Sequence, residues 1–164
     1  MTRVKVKEVP KVKVVKVPKI KIPRKARSIK SEYDGVKFQS NLEVYCYKAL
    51  QKAGIDFKYE PTTYVLIEGF KSENVSYEAD KRIGNLLRPK SQNLQSIKYT
   101  PDFVGKDWII ETKGAQTDVF NMRFKLFKRY LNKNGLNYTL YMPKNHLQIE
   151  QVIKLILKQD EQDK

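Results

Sequence analysis

Apolar side chains recur at Leu42, Cys46, Ala49, Leu50 and Ala53, three or four residues apart, so residues 40–53 present one apolar side of a helix, and Gly54 supplies a stop. A second stripe of this period, Phe120, Phe124, Phe127 and Leu131, predicts a helix over residues 117–132 that ends before Gly135. A third, Ile149, Val152, Ile153, Ile156 and Leu157, predicts a closing helix with all five inward, opened by Asn145. Elsewhere the pattern is that of strands. Residues 57–67 are rich in aromatic and β-branched side chains and read as one strand or a bent pair. Residues 97–104 and 107–112 read as two short strands around a turn at Gly105-Lys106, and residues 137–142 as a further strand broken by Pro143. Residues 71–96, which include Arg82, Arg88 and Lys90, are polar and weakly patterned; they predict a long loop, or an insertion with a short helix. This order of elements, without an internal repeat, predicts a mixed α/β domain.

The alternation before residue 31 is of another kind. In Val4-Lys5-Val6-Lys7 and Lys19-Ile20-Lys21-Ile22 apolar and basic residues take turns, the period of an extended strand, while Pro10, Pro18 and Pro23 interrupt any long ladder. Residues 1–30 hold 12 of the 33 Lys+Arg and one acid, Glu8, so that +11 of the net +15 lies there and +4 in residues 31–164. An extended or disordered arm of this charge adds salt-sensitive affinity for nucleic acid. An ordered strand on a sheet edge or partner subunit, an acidic protein surface and a packaging role are the alternatives. The 164 residues thus divide into a basic arm, 1–30, and one domain over 31–160. No apolar run approaches the roughly 20 residues that span a bilayer, and the basic start is not followed by a signal-type apolar segment; neither membrane insertion nor export by that route is expected. One Cys and one His exclude an intramolecular disulfide and a zinc site of those ligands, which points to a reducing, cytoplasmic compartment and to oxygen ligands for any metal.

The candidate chemistry lies where Pro101-Asp102-Phe103 is followed, nine residues after the aspartate, by Glu111-Thr112-Lys113-Gly114. Residues two apart on a strand point to one face, so Glu111 and Lys113 project together and Thr112 points away. If the strand carrying Asp102 pairs with this one, Asp102, Glu111 and Lys113 converge at the strand ends. Two carboxylates there suit Mg²⁺, a hard cation that takes oxygen ligands at about 2.0–2.1 Å and keeps several waters. The backbone carbonyl of Thr112 offers a further ligand, and Mn²⁺ is expected to substitute. Such a site suits phosphodiester hydrolysis, with Lys113 stabilising the transition state or orienting the attacking water. Gly114 leaves room for a bulky substrate. The same spacing also fits the wet face of an antiparallel sheet.

Tyr99-Thr100-Pro101-Asp102-Phe103 and Trp108-Ile109-Ile110-Glu111-Thr112-Lys113-Gly114 resemble the PD-(D/E)XK nuclease superfamily at every motif position, including the apolar run before the glutamate. Phe38-Gln39-Ser40-Asn41-Leu42-Glu43, with Lys52-Ala53-Gly54-Ile55-Asp56-Phe57-Lys58-Tyr59-Glu60 closing the helix, looks like the opening of phage endonuclease I type Holliday-junction resolvases. Tyr33-Asp34-Gly35-Val36-Lys37-Phe38 and residues 114–130 are similar to an uncharacterised phage-encoded branch of the superfamily, and the whole resemblance spans about residues 33–142. It implies a restriction-endonuclease-like mixed β-sheet flanked by helices, divalent metal on Asp102 and Glu111, and Lys113 assisting the water or the transition state. It also implies that Glu43 is a helix-borne carboxylate completing the catalytic set. Ser40-x-x-Glu43 is equally a capping box, in which Glu43 satisfies the helix N-terminus. Gln116, just beyond the motif, touches the scissile phosphate or caps the next helix. The long segment 71–96 and the basic arm depart from the family pattern and leave the substrate open.

Arg123, Lys125, Lys128 and Arg129 offer either a DNA-contacting face on the second helix or a solvated one. Tyr45, Tyr47, Tyr59, Tyr64, Phe70, Trp108, Tyr138 and Tyr141 read as core or sheet residues, Cys46 as a small core residue, and nothing marks His146 as a general base. The expected function is that of an Mg²⁺-dependent DNA endonuclease. By resemblance alone it acts on branched DNA in recombination, as a phage-type resolvase that cuts twice as a homodimer in the host-cell cytoplasm. The alternatives are the same chemistry on linear duplex DNA, and a non-catalytic DNA-binding or virion protein on the same fold.

Overall fold

The described chain, residues 31–162 of a computed structural model, opens with a hairpin of β1 (Ser31–Tyr33) and β2 (Val36–Phe38). Its turn is Asp34-Gly35, both at positive φ, the backbone shape that a two-residue hairpin turn demands. Three-residue strands carry too little hydrophobic period to reveal this hairpin in the sequence. The basic arm expected over residues 1–30 lies outside the described residues. Helix α1 (Asn41–Lys52) follows, capped by Ser40, whose hydroxyl accepts the Glu43 N–H at 3.2 Å. Residues 57–67 form the bent pair: β3 (Lys58–Tyr59) and β4 (Tyr64–Ile67) belong to different sheets.

Residues 71–96 are not the long loop that their polarity suggests. β5 (Phe70–Lys71), β6 (Tyr77–Asp80), β7 (Leu86–Pro89), β8 (Asn93–Leu94) and β9 (Ile97–Tyr99) fold back as nested antiparallel pairs, β6 on β7, β5 on β8 and β4 on β9. The result is a β-ribbon with a one-turn 3₁₀ helix, Lys81–Ile83, at its tip. Buried Asp80 ties that tip together, accepting from Arg82 Nη2 at 2.8 Å and Arg88 Nη1 at 3.0 Å.

The stretch 97–104 is likewise two strands. Thr100-Pro101 separates β9 from β10 (Phe103–Val104), and β10 turns directly into β11 (Trp108–Ile110). A Cβ added to Gly105 in that turn would run into the Trp108 ring, so the indole folds over a position only glycine can fill. Then come α2 (Asp118–Lys133), β12 (Thr139–Tyr141) and α3 (His146–Gln162).

The main sheet has the order β12-β11-β10-β3, with β11 parallel to β12 and the other pairs antiparallel. β11 is buried on both faces, as a strand covered from two sides must be. Trp108 and Ile110, with Phe103, pack against Cys46 and Leu50 of α1 and Ile149, Val152, Ile153 and Ile156 of α3. Ile109 faces the other way, onto Phe127 and Leu131 of α2 and onto Tyr99. The chain is therefore mixed α/β, helices on both faces of a mixed sheet, and each large side chain buried in it contributes roughly 1.5–3 kcal/mol. Leu157 corrects the expected stripe: it is 39% exposed, because it lies about 100° round α3 from Ile156, where the inward face ends. Among the described residues no helix is long and apolar enough to cross a membrane.

Candidate functional site

β10 and β11 pair with Phe103 opposite Ile110 and Val104 opposite Ile109. The same register carried one step further sets Asp102 opposite Glu111, where the two strands end. Beyond β11 the backbone stays in the ladder: the N–H of Glu111 donates to the Tyr141 carbonyl at 3.0 Å and that of Lys113 to the Pro143 carbonyl at 3.1 Å. The N–H of Thr112 faces the opposite side, where Asp102 Oδ2 accepts it at 2.7 Å and accepts the Thr112 hydroxyl at 2.7 Å as well. The aspartate side chain thus takes the place of a backbone acceptor and is fixed by it. Its own carbonyl accepts the Glu60 N–H at 2.8 Å, with Glu60 held at φ +40°.

Glu111 and Lys113 project together, as their spacing predicts. The Tyr99 hydroxyl donates to Glu111 Oε2 at 2.8 Å, while Lys113 Nζ stands 3.7 Å from Oε1 and 4.8 Å from the centroid of the Phe120 ring. Each carboxylate therefore has one oxygen clamped by a neutral donor. Among the described residues no protein donor reaches Asp102 Oδ1, and Lys113 is the one cation within ion-pair distance of either group. Burial first, and the charge of Glu111 second, push Asp102 up to about 8 against the pull of the two Thr112 hydrogen bonds. Burial likewise raises Glu111, opposed by the Tyr99 hydrogen bond and by Lys113.

This donor set is all oxygen, doubly negative when ionised, and only partly compensated by one ammonium. That is the chemistry of a site for a hard divalent cation. Asp102, Glu111 and the Thr112 carbonyl are the groups in place to hold one; an extended residue turns its N–H and C=O to the same neighbour, here the Asp102 side. Among the described residues no three Asp, Glu, His or Cys side chains gather as a metal-holding group. Glu43 shows why. Its Oε1 accepts the Ser40 hydroxyl at 2.8 Å, and its Oε2 accepts the Gln39 N–H at 2.8 Å and the Tyr59 hydroxyl at 2.9 Å. Both oxygens are engaged in the capping arrangement, and Glu43 acts on the pair through its charge, which raises both Asp102 and Glu111.

An open cleft of about 830 Å³ adjoins the pair and shares Glu43, Thr112 and Lys113 with it; Asp102 and Glu111 themselves do not line it. Its remaining walls come from Lys144 and the first turn of α3, including His146 and Leu147, and from Leu42, Gly114 and Ala115. A Cβ at Gly114 would meet nothing within 4 Å, so the approach is open. Gln116 does not cap α2: Thr117 does, accepting the Phe120 N–H at 3.2 Å, and Gln116 Nε2 instead meets Met142 Sδ at 2.7 Å. Arg123, Lys125, Lys128 and Arg129 are all exposed, but they do not form one face. At about 100° per residue, Lys125, Lys128 and Arg129 share one side of α2 and Arg123 flanks the other.

Three groups of this site escape the sequence pattern: the Tyr99 hydroxyl, the Thr112 hydroxyl and Tyr59. The first two lie inside the motif-bearing segments, so proximity in sequence is their only signal; Tyr59 reaches Glu43 from a strand paired to β10, a long-range contact with no local trace. The chain belongs to the family described as protein of unknown function (DUF1064), whose model matches residues 23–146. No curated protein and no solved structure matches it.

Proposed function

We propose that this DUF1064 protein is a metal-dependent endodeoxyribonuclease of restriction-endonuclease-like fold, with branched DNA as its preferred substrate. The observation that carries the reading is the cross-strand pair Asp102 and Glu111, each clamped by one neutral donor, with Lys113 alongside. A Mg²⁺ or Mn²⁺ ion on Asp102, Glu111 and the Thr112 carbonyl supplies, when bound, an activated water and neutralisation of charge on the phosphoryl oxygens. The chain's own residues do the rest. Thr112 holds the Asp102 carboxylate by two hydrogen bonds, and Tyr99 holds that of Glu111; such outer contacts fix ligand orientation. The Lys113 side chain is 38% exposed, so its ammonium can meet a substrate phosphate or orient the attacking water. Glu43 anchors the start of α1 beside them. Lys125, Lys128 and Arg129 on the exposed side of α2 support contacts to the DNA backbone, which position a duplex without reading its sequence. Two cuts on one branched molecule call for two such sites, and so for a homodimer.

The test is to incubate end-labelled four-way-junction and linear duplex DNA with the protein, in Mg²⁺ or in chelator. Cleavage in Mg²⁺, none in chelator, and faster cutting of the junction are expected. Equal rates on both DNAs replace the branched substrate with linear duplex. Cleavage that survives Asp102→Ala removes the site, and no cleavage of any DNA favours a non-catalytic DNA-binding or virion role.

A further inference from the structure

The lining of the cleft beside the carboxylate pair combines two cations, Lys113 and Lys144, with the apolar Leu42 and Leu147 and the ring of His146. Leu147 is 70% exposed, an apolar side chain that no neighbour covers. The His146 ring is stacked on Tyr45, centroids 3.9 Å apart and planes 12° from parallel, and the Tyr45 hydroxyl is itself held by Glu150 Oε1 at 2.7 Å. An exposed ring is thereby fixed as a platform at the mouth of the cleft, although His146 has no place in the hydrolytic chemistry.

A nucleotide carries matching groups, an anionic phosphate and a flat π-face. The volume of about 830 Å³ accommodates one such unit with its sugar, within the usual range of small-ligand pockets. We propose that this cleft receives one unpaired nucleotide of the DNA strand, its phosphate directed to Lys113 and its base laid on His146 and Leu147. The proposal rests on the nuclease reading above and names its substrate class. Unstacking a base from a duplex is costly, and least so where the base is already unpaired. The cleft therefore selects bulges, single-stranded flanks and branch points whose end pairs open easily over intact duplex, by shape and stacking and not by base identity.

The test uses a series of bulged DNAs, each with one base removed to leave an abasic sugar, bound to the full chain in Ca²⁺ and followed by fluorescence anisotropy. Every phosphate is kept, so only a base-specific contact is lost. The expected result is one position, next to the cut, where removal of the base weakens binding roughly tenfold. His146→Ala weakens binding of the intact bulge by a similar factor and abolishes the effect of that abasic position, while His146→Phe, which keeps a stacking ring, restores both. Melting curves confirm that each variant is folded. Equal loss at all positions, or His146→Ala binding like the wild type, or His146→Phe behaving like His146→Ala, overturns the proposal. Mg²⁺-dependent cleavage without any of these dependences removes the cleft and leaves the nuclease standing. A position-specific loss in a protein that cuts no DNA keeps the cleft and removes the nuclease, and a protein that binds no DNA removes both.

Discussion

Asp80 and Asp102 both sit at strand ends with short hydrogen bonds to their carboxylates, and the protein treats their charges in opposite ways. Asp80, at the end of β6, accepts from Arg82 and Arg88, and those guanidinium groups hold it at about 2. Among the described residues Asp102 accepts only from the neutral N–H and hydroxyl of Thr112 while facing Glu111, and burial with that neighbouring charge pushes it up to about 8. One carboxylate is neutralised within the fold and serves to tie a ribbon together. The other is held in orientation and, among the described residues, left short of positive charge, the condition in which an external cation is stabilised. Conspicuous charge alone would have drawn attention to the ribbon, with its Arg82 and Arg88; the counter-charge missing among the described residues is what points to the main sheet.

The largest effect expected from this contrast is on hydrolysis. Asp102→Ala should lower the Mg²⁺-dependent cleavage rate by roughly 10³ or more, measured on labelled DNA under single-turnover conditions. Lys113→Ala, which removes the one ammonium beside the pair among the described residues, should cost roughly 10²–10³ in the same assay while leaving metal binding in place. Tyr99→Phe keeps the ring packed on Phe127 and deletes only the donor to Glu111; a loss of about 10–100-fold in metal affinity or rate is expected, read by titration of Mg²⁺ against activity.

More direct about charge is the dependence of stability on pH. Asp102 holds its proton more tightly in the folded chain, near 8, than in the unfolded chain, near the ordinary value of about 3.9. Its contribution is therefore complete below about pH 4 and is lost as pH rises towards 8. In chelator the melting temperature should fall over that window, and Asp102→Asn should flatten the fall. Mg²⁺ at pH 8 should reverse it, by about 2.7 kcal/mol at a hundredfold excess over Kd. A melting temperature that rises from pH 5 to pH 8 in chelator would contradict the assignment. Asp80→Asn should have the least effect on chemistry: faster hydrogen exchange in β6 and β7, with cleavage unchanged.

The same contrast explains what could be read without a structure. The three helices follow from stripes anchored in the two cores that flank the main sheet, and the turn at Gly105-Lys106 brings β10 onto β11 by local contacts, so Asp102, Glu111 and Lys113 were legible as a unit. The ribbon was not, because its pairs are two to four residues long and join positions such as Tyr64 and Tyr99 across 35 residues. Glu43 shows a different limit. Its spacing from Ser40 allows both a cap and a ligand, and the Gln39 N–H and the Tyr59 hydroxyl, the latter brought in by β3 pairing with β10, show how its second oxygen is used. Leu157 and Arg123 show the limit of helical period itself, which identifies a face but not its edges.

The central claim is that Asp102 and Glu111 form a divalent-cation site while Asp80 does not. Calorimetric titration of Mn²⁺ at pH 8 into the wild type, Asp102→Asn and Asp80→Asn tests it most directly. Saturable binding by the wild type and by Asp80→Asn, lost in Asp102→Asn, is the predicted result; equal binding by all three proteins, or binding by none, would contradict it.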